Sequence, residues 1–340
     1  MEKAIMIGLD IAKNVFEVHG RNAAGEVVVR RSLKRGQVEK FFARLPQAAI
    51  GLEACGSAHH WARVMSGLGH EVRLMPPAYV KPYVKRNKSD AIDAAACCEA
   101  MSRPGMRFVQ VKTVEQQAAL SLHRSRELLV RQRTQLGNAL RSLLSEFGIV
   151  AAKGREGLAR LVEELRAGTL ALPQEAAFAA LTLADQRAAL DLAANDLERR
   201  IVAQGKADER TTMLQTAPGI GPLSAHAVLA TMPDPAFFKS GRDFAAWLGL
   251  TPRLDGTGGK TRTGHITRQG DQTVRRLLVL GATAWLRQVQ ARPEKASPWL
   301  RGMMARRPRK VVAVAQAART ARILWAMLTY NQPYRAPAIG

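Results

Sequence analysis

Residues 114–147, VEQQAALSLHRSRELLVRQRTQLGNALRSLLSEF, run for more than thirty positions without a proline and with a single glycine. A segment of that length built from Ala, Leu, Gln, Arg and Glu has one low-energy outcome, a long helix. Leu120, Leu128, Leu136, Leu140 and Leu143 fall on one stripe of it. A second run, TLADQRAALDLAANDLERRIVAQ (182–204), repeats the pattern with Leu183, Leu190, Leu197 and Ile201. Two long amphipathic helices in succession predict an antiparallel coiled coil or an oligomerisation arm, with a plain helical core as the competing outcome. The stretch 151–175, containing Gly154, Gly157, Gly168 and Pro173, is expected to be the turn between them.

The flanks have different textures. Before the first long helix, β-prone runs at 4–10, 15–20 and 26–32 precede a helix at about 37–44, a strand at 48–53, a helix capped near Ser57 and a strand at 71–75. Three strands followed by helix, strand, helix and strand predict an α/β layer with a mixed sheet. After residue 211 the chain becomes basic and rich in Gly and Pro. The segment PGIG at 218–221 predicts a tight turn between two helices, resembling a helix-hairpin-helix, that either lends its N–H groups to a phosphate or serves packing alone. Residues 248–271, LGLTPRLDGTGGKTRTGHITRQGD, hold six glycines and no apolar period, so a long surface loop is expected there. Two more helices, at 271–290 and 310–330, would close an all-α domain. The expected boundaries are thus 1–112, 113–207 and 208–340.

Charge follows the same division. The chain of 340 residues carries 51 Lys+Arg and 28 Asp+Glu, a net of +23. Residues 1–110 hold 17 positive and 10 negative side chains, 111–210 hold 15 and 13, and 211–340 hold 19 and 5. Such a surplus fits a polyanionic partner, whose counterions it releases. Lys81, Lys85, Arg86 and Lys88 form one concentration, and Arg301, Arg306, Arg307, Arg309 and Lys310 a second that reads equally as a charged linker. Aromatic residues are only 5%, which leaves few rings on which bases could stack. A hydrophobic content of 47% excludes a wholly disordered chain. No run of about 18 uncharged apolar residues occurs, and Glu2, Lys3 and Asp10 interrupt the start. Neither a membrane span nor a secretory leader is expected, and the cytoplasm is the predicted compartment. Cys55, Cys97 and Cys98 suit reduced thiols better than a disulfide framework or a zinc quartet.

Four carboxylates stand at chemically suggestive places. Asp10 and Glu53 each end an apolar run at the C-terminal end of a predicted strand, where α/β sheets place their sites. Asp90 and Asp93 open an Ala-rich helix one turn apart, so they share a face and repel. A divalent ion with oxygen ligands would relieve that repulsion, and four carboxylates suit a pair of Mg²⁺ ions, with Mn²⁺ as the alternative. Taken singly, Asp90 is also an ordinary N-terminal helix charge and Asp93 an ordinary exposed residue. His19, His59 and His60 are better read as core or surface residues than as ligands.

Six motifs, in order and with family-like separations, carry a resemblance: GLDIAK with Asp10, GLEACGSAHHWA with Glu53, NKSDAIDA with Asp90 and Asp93, PGIGPLSA, FAAWLGLTPR, and GGKTRTGHITRQGD. Over nearly the whole length the chain resembles transposases of the insertion sequence 110 family, which includes the Piv DNA invertases. The resemblance implies an RNase H-like (RuvC-like) N-terminal domain whose DEDD tetrad binds Mg²⁺, a coiled-coil middle and a helical C-terminal transposase domain. It further implies a bacterial, nucleoid-associated recombinase of double-stranded donor and target DNA, guided by a structured non-coding RNA. Dimers would assemble to a tetramer with composite active sites. A serine of the C-terminal loop would form a covalent phosphoserine link to DNA. Here the corresponding position is Thr257, and no serine lies between Ser240 and Ser297; a threonine hydroxyl can serve as nucleophile. Ser224 and Ser240 are fallback nucleophiles. Lys260, Arg262, Arg268, Arg275 and Arg276 are candidates for holding the DNA backbone, with a plain helix surface as the other reading of Arg275 and Arg276. Two other functional classes compete: a hydrolytic RuvC-like nuclease that needs no nucleophile loop, and a non-catalytic nucleic-acid scaffold.

Overall fold

The computed structural model describes residues 5–85, 89–232 and 234–336. The chain divides into two compact units, 1–114 and 115–340.

The first unit is built on a five-stranded mixed sheet of order β3-β2-β1-β4-β5, comprising β1 (Met6–Ile11), β2 (Val15–Arg21), β3 (Val27–Lys34), β4 (Ala49–Glu53) and β5 (Glu71–Met75). β1, β2 and β3 form an antiparallel meander, whereas β4 and β5 run parallel to β1. These strands match the predicted runs closely. Strand alternation sorts their side chains: Ile7, Leu9, Ile50 and Leu52 are fully buried in a core with Phe16, Phe42, Trp61 and Met65. Helices α1 (Val38–Phe42) and α2 (Ala58–Gly67) contribute to that core, and α3 (Pro77–Val80) follows β5. Ser57 stands at the start of α2 but in a left-handed conformation, φ 66°, without a side-chain cap.

Helix α4 (Asp90–Met101) packs on β1, β2 and β4. It comes so close that a Cβ added to Gly8 would sit 2.0 Å from the Ala94 carbonyl oxygen, and one added to Gly51 would sit 2.7 Å from Met101 Sδ. At Gly8, where the blocking atoms are backbone, only glycine permits this approach. Cys97 and Cys98 are buried beneath it as free thiols.

In the second unit, α5 (Val114–Ser145) and α7 (Gln174–Lys206) are the two long helices. Arg126 pairs with Glu198, and Arg133 with Asp191. Each step is seven residues, taken in opposite directions, which makes the helices antiparallel in a heptad register. The intervening segment is more than a turn: α6 (Arg155–Arg166) packs Leu158, Leu161 and Leu165 against Leu140, Leu144, Ala180 and Ala184. Its apolar spacing is interrupted by Gly157 and flanked by Gly154 and Gly168, which is why the sequence reads as a turn there. Of the predicted stripe, Leu120, Leu140 and Ile201 are buried, while Leu128 remains 46% exposed, beside exposed Phe178 and Leu192 elsewhere on the arm.

The rest of the second unit comprises α8 (Glu209–Leu214), α9 (Pro222–Thr231), α10 (Gly241–Trp247), α11 (Gln272–Ala291), α12 (Pro298–Arg306) and α13 (Arg309–Tyr330). α9, α10, α11 and α13 share a core around Phe244, Leu248, Leu278, Ala317 and Leu324. By length and composition α13 is apolar enough to cross a membrane, yet its buried positions from Val312 to Met327 face protein. The PGIG turn joins α8 to α9 with Gly219 at φ 78° against the backbone of Gly281. In this structure it is a packing turn.

α5 and α9 are joined by a buried histidine pair, with His123 Nε2 2.9 Å from His226 Nδ1. Burial, reinforced by the charges of His226 and Arg126, holds His123 down to about 4. Its folded value lies below the unfolded one, so the stability it contributes is present above about pH 6.5 and is lost as pH falls towards 4. Denaturant titrations between pH 7 and pH 4 should therefore show a decline that is shallower in His123→Gln. Gly8→Ala should lose about 3 kcal/mol or more of stability in chemical denaturation of the first unit, because backbone rather than a mobile side chain blocks the new methyl.

Candidate catalytic site

The two sequences Gly8-Leu9-Asp10 and Gly51-Leu52-Glu53 lie side by side, since β1 and β4 pair in parallel with Leu9 opposite Leu52. Residues two apart on a strand face the same way. The face that brings Gly8 and Gly51 against α4 therefore also carries Asp10 and Glu53, at the C-terminal ends of adjacent central strands. Helix α4 begins at Asp90 and has both Asp90 and Asp93 in its first turn. One carboxylate oxygen from each of Asp10, Asp90 and Asp93 lies within 4.8 Å of the others. The repeated Gly-Leu-acid motif was the available signal for this packing, with Gly8 and Gly51 as positioning residues that sequence reasoning did not single out.

The electrostatics set these carboxylates against one another. Asp10 is raised from 3.8 to about 6, first by burial, then by the charges of Asp93 and Asp90, with a smaller push from Glu53. The same carboxylates, after burial, push the Cys97 thiol far above its ordinary range. A group of oxygen donors crowded to this degree fits a hard divalent ion such as Mg²⁺ or Mn²⁺. His59 is engaged elsewhere, accepting from the Lys112 N–H at 3.2 Å, and His19 is buried in β2.

Lys81 and Lys85 are exposed in this unit, whereas Arg86 and Lys88 lie outside the described residues. The remaining candidates belong to the second unit. Residues 248–271, expected to be an irregular loop, instead form a two-stranded hairpin of β6 (Pro252–Thr257) and β7 (Lys260–Ile266). Gly258 and Gly259, at φ 57° and 80°, make its two-residue turn. Two glycines between strands are the chemistry of a tight hairpin; the run lacked an alternating apolar face because every residue of β6 is exposed. Thr257 ends β6 beside the turn, paired with Lys260, and Arg262 pairs with Asp255. Lys260, Arg262 and Arg268 are exposed. Arg275 donates to the Leu248 and Gln269 carbonyls, at 2.9 and 2.6 Å, clamping the hairpin's base. Arg276 pairs with Glu127 at 3.1 Å. Ser224 is buried in α9, and Ser240 caps α10 through the Asp243 N–H.

An α/β layer that gathers acidic side chains at the C-terminal ends of its central strands, joined in one chain to a basic helical unit, defines a nucleic-acid-processing class. The comparisons make this specific. Residues 7–149 match the DEDD transposase family of IS110 elements, and residues 211–297 match the family described as transposase IS116/IS110/IS902. The chain is 50% identical over 97% of its length to a "Probable family 20 transposase" of Pseudomonas aeruginosa, covering 98% of that protein. It is 40% identical to the transposase for insertion sequence element IS1111A of Coxiella burnetii, over 99% of this chain and 93% of that one. It is 37% identical to the transposase for IS1328 of Yersinia enterocolitica, over 97% and 98%. The protein belongs to the IS110 family of insertion-sequence transposases.

Without a cation, ionised Asp10 destabilises the fold. Because its folded value is above the unfolded one, stability should fall as pH rises from about 4 through 6, by roughly 1 kcal/mol for a half-buried, solvent-screened group. Asp10→Asn should raise the melting temperature of the metal-free protein at pH 8 and abolish the further rise that Mg²⁺ or Mn²⁺ gives the parent. An isolated two-stranded hairpin is only marginally stable, so amides of 252–266 should exchange quickly in the free protein and slow on addition of DNA.

Proposed function

We propose that this transposase is an RNA-guided DNA recombinase that cuts and rejoins DNA through a covalent protein–DNA intermediate. The observation that carries the reading is the convergence of Asp10, Asp90 and Asp93, with Glu53 on the adjacent strand. These four residues would hold the divalent ions. When bound, such ions neutralise charge on the attacking and leaving oxygens of a phosphoryl transfer. The Thr257 hydroxyl attacks phosphorus: a P–Oγ bond forms, the bond from phosphorus to one sugar oxygen breaks, and that oxygen leaves with a proton. Thr257 suits the role by its exposure at the hairpin tip beside Lys260. Lys81, Lys85, Lys260, Arg262 and Arg268 supply positive charge for phosphates, Arg275 sets the hairpin's base, and Arg276 is tied to Glu127 on α5.

The assignment of chemistry to 1–112, oligomerisation to 113–207 and nucleophile delivery to 208–340 accompanies this reading. Exposed Leu128, Phe178 and Leu192 on the long helices support a dimer that builds to a tetramer. The family resemblance supports a structured non-coding guide RNA and a cytoplasmic, nucleoid-associated protein.

The test is a cleavage reaction on DNA carrying the element's ends, with RNA transcribed from its flanks and Mg²⁺, resolved under denaturing conditions. The parent and Thr257→Ser should give an SDS-stable protein–DNA adduct, and Thr257→Ala none. Asp10→Asn and Asp93→Asn should slow adduct formation by about 100-fold or more, the loss of about 3 kcal/mol of transition-state stabilisation. Free 5′-phosphate ends without an adduct would instead identify a hydrolytic nuclease.

A further inference from the structure

The basic segment that follows β5 does more than carry charge. Residues of α3, the 3₁₀ turn Lys81–Tyr83 and the chain after α4 enclose a cleft of about 290 Å³ lined by Tyr79, Pro82, Tyr83, Arg103, Pro104 and Arg107. The protein has four tyrosines, so half of them meet in this one place. Tyr83 is anchored, packing against the buried core of Met75, Val80 and Cys97. The Arg103 guanidinium lies over its ring, 5.8 Å from the centroid. Arg103 is itself held by Glu99, which is fixed in turn by Arg21 at 3.3 Å. Tyr79 is 36% exposed, and Lys81 and Lys85, next to Pro82 and two residues after Tyr83 in the chain, are exposed.

We infer that this cleft receives one unpaired nucleotide of a nucleic-acid strand, its base against the tyrosine rings and its phosphate towards the flanking cations. Flat aromatic and guanidinium surfaces stack on any base whose face is free, and such stacking is largely indifferent to sequence. A base inside a duplex has no free face, so the cleft selects single-stranded or looped-out segments. The volume lies at the lower edge of ordinary ligand pockets and suits one nucleoside. Pro82 and Pro104 stiffen the walls, so the site is largely formed before the strand arrives. The inference rests on nucleic acid being the partner, as proposed above, and extends that reading to a position away from the carboxylates' own residues. Single-stranded DNA and an RNA loop offer the same chemistry.

Anisotropy of fluorescein-labelled twelve-nucleotide strands, one DNA and one RNA, alongside the matching DNA duplex, tests this with the full-length protein. Tyr79→Ala should weaken single-strand binding about 5- to 100-fold, the range measured for one base–aromatic stack, and leave duplex binding unchanged. Tyr79→Phe should keep the parent affinity. Tyr83→Ala and Arg103→Gln should follow Tyr79→Ala, so the result does not depend on one variant folding. The strand with the larger loss identifies the source. Equal loss for duplex and single strands, no loss in Tyr79→Ala, loss in Tyr79→Phe, or equal competition by polyglutamate would overturn the cleft assignment alone. A parent protein that binds neither strand nor duplex would overturn the nucleic-acid reading as well.

Discussion

Everything chemical in the first unit depends on how closely one helix lies on one sheet. At Gly8 the backbone of β1 meets the backbone of α4 with no intervening side chain, and at Gly51 β4 lies against the Cys97 carbonyl and the Met101 side chain of the same helix. A helix held off the sheet by ordinary side chains at these positions would sit farther away. At that distance, carboxylates on the strand ends and on the helix's first turn would not converge. Two missing Cβ atoms per pair of strands thus convert sequence-distant acids into one cluster, and the same close approach buries Cys97 and Cys98 beneath it.

This geometry sets two forces against each other. Ile7, Leu9, Ile50 and Leu52 bury completely and hold the strands in register, while the acids on the opposite face repel. Part of that repulsion is offset by the N-terminal end of α4, whose unpaired N–H groups favour negative charge in the first turn. The remainder is left in place, as it is in sites where binding free energy is drawn from groups that the protein alone cannot satisfy. The second unit shows the opposite practice. There charged residues find partners on neighbouring helices, as in Arg126 with Glu198 and Arg276 with Glu127.

How much of this could be read from the chain alone follows from the range of the interactions involved. The strands of the sheet, the two long helices and the four acids were legible because alternation, heptad spacing and apolar runs are local. The DEDD order and the family motifs then pointed to a transposase. The hairpin at 252–266 escaped because hairpin prediction leans on an apolar face, and this one has none to show. α6 was masked by glycines that end helices at its borders. The His123–His226 pair, 103 positions apart, left no local trace at all. Nor did the cleft around Tyr79 and Tyr83, since a low aromatic content says nothing about where the few rings gather.

The hairpin's near-complete exposure has a consequence for how freely its sequence can vary. Apart from Ile266, which packs against the core of the second unit, its strand residues are exposed, so most of its sequence is nearly uncoupled from whether that unit folds. Substitutions at those exposed positions leave the buried core of the unit intact while altering charges such as Lys260 and Arg262.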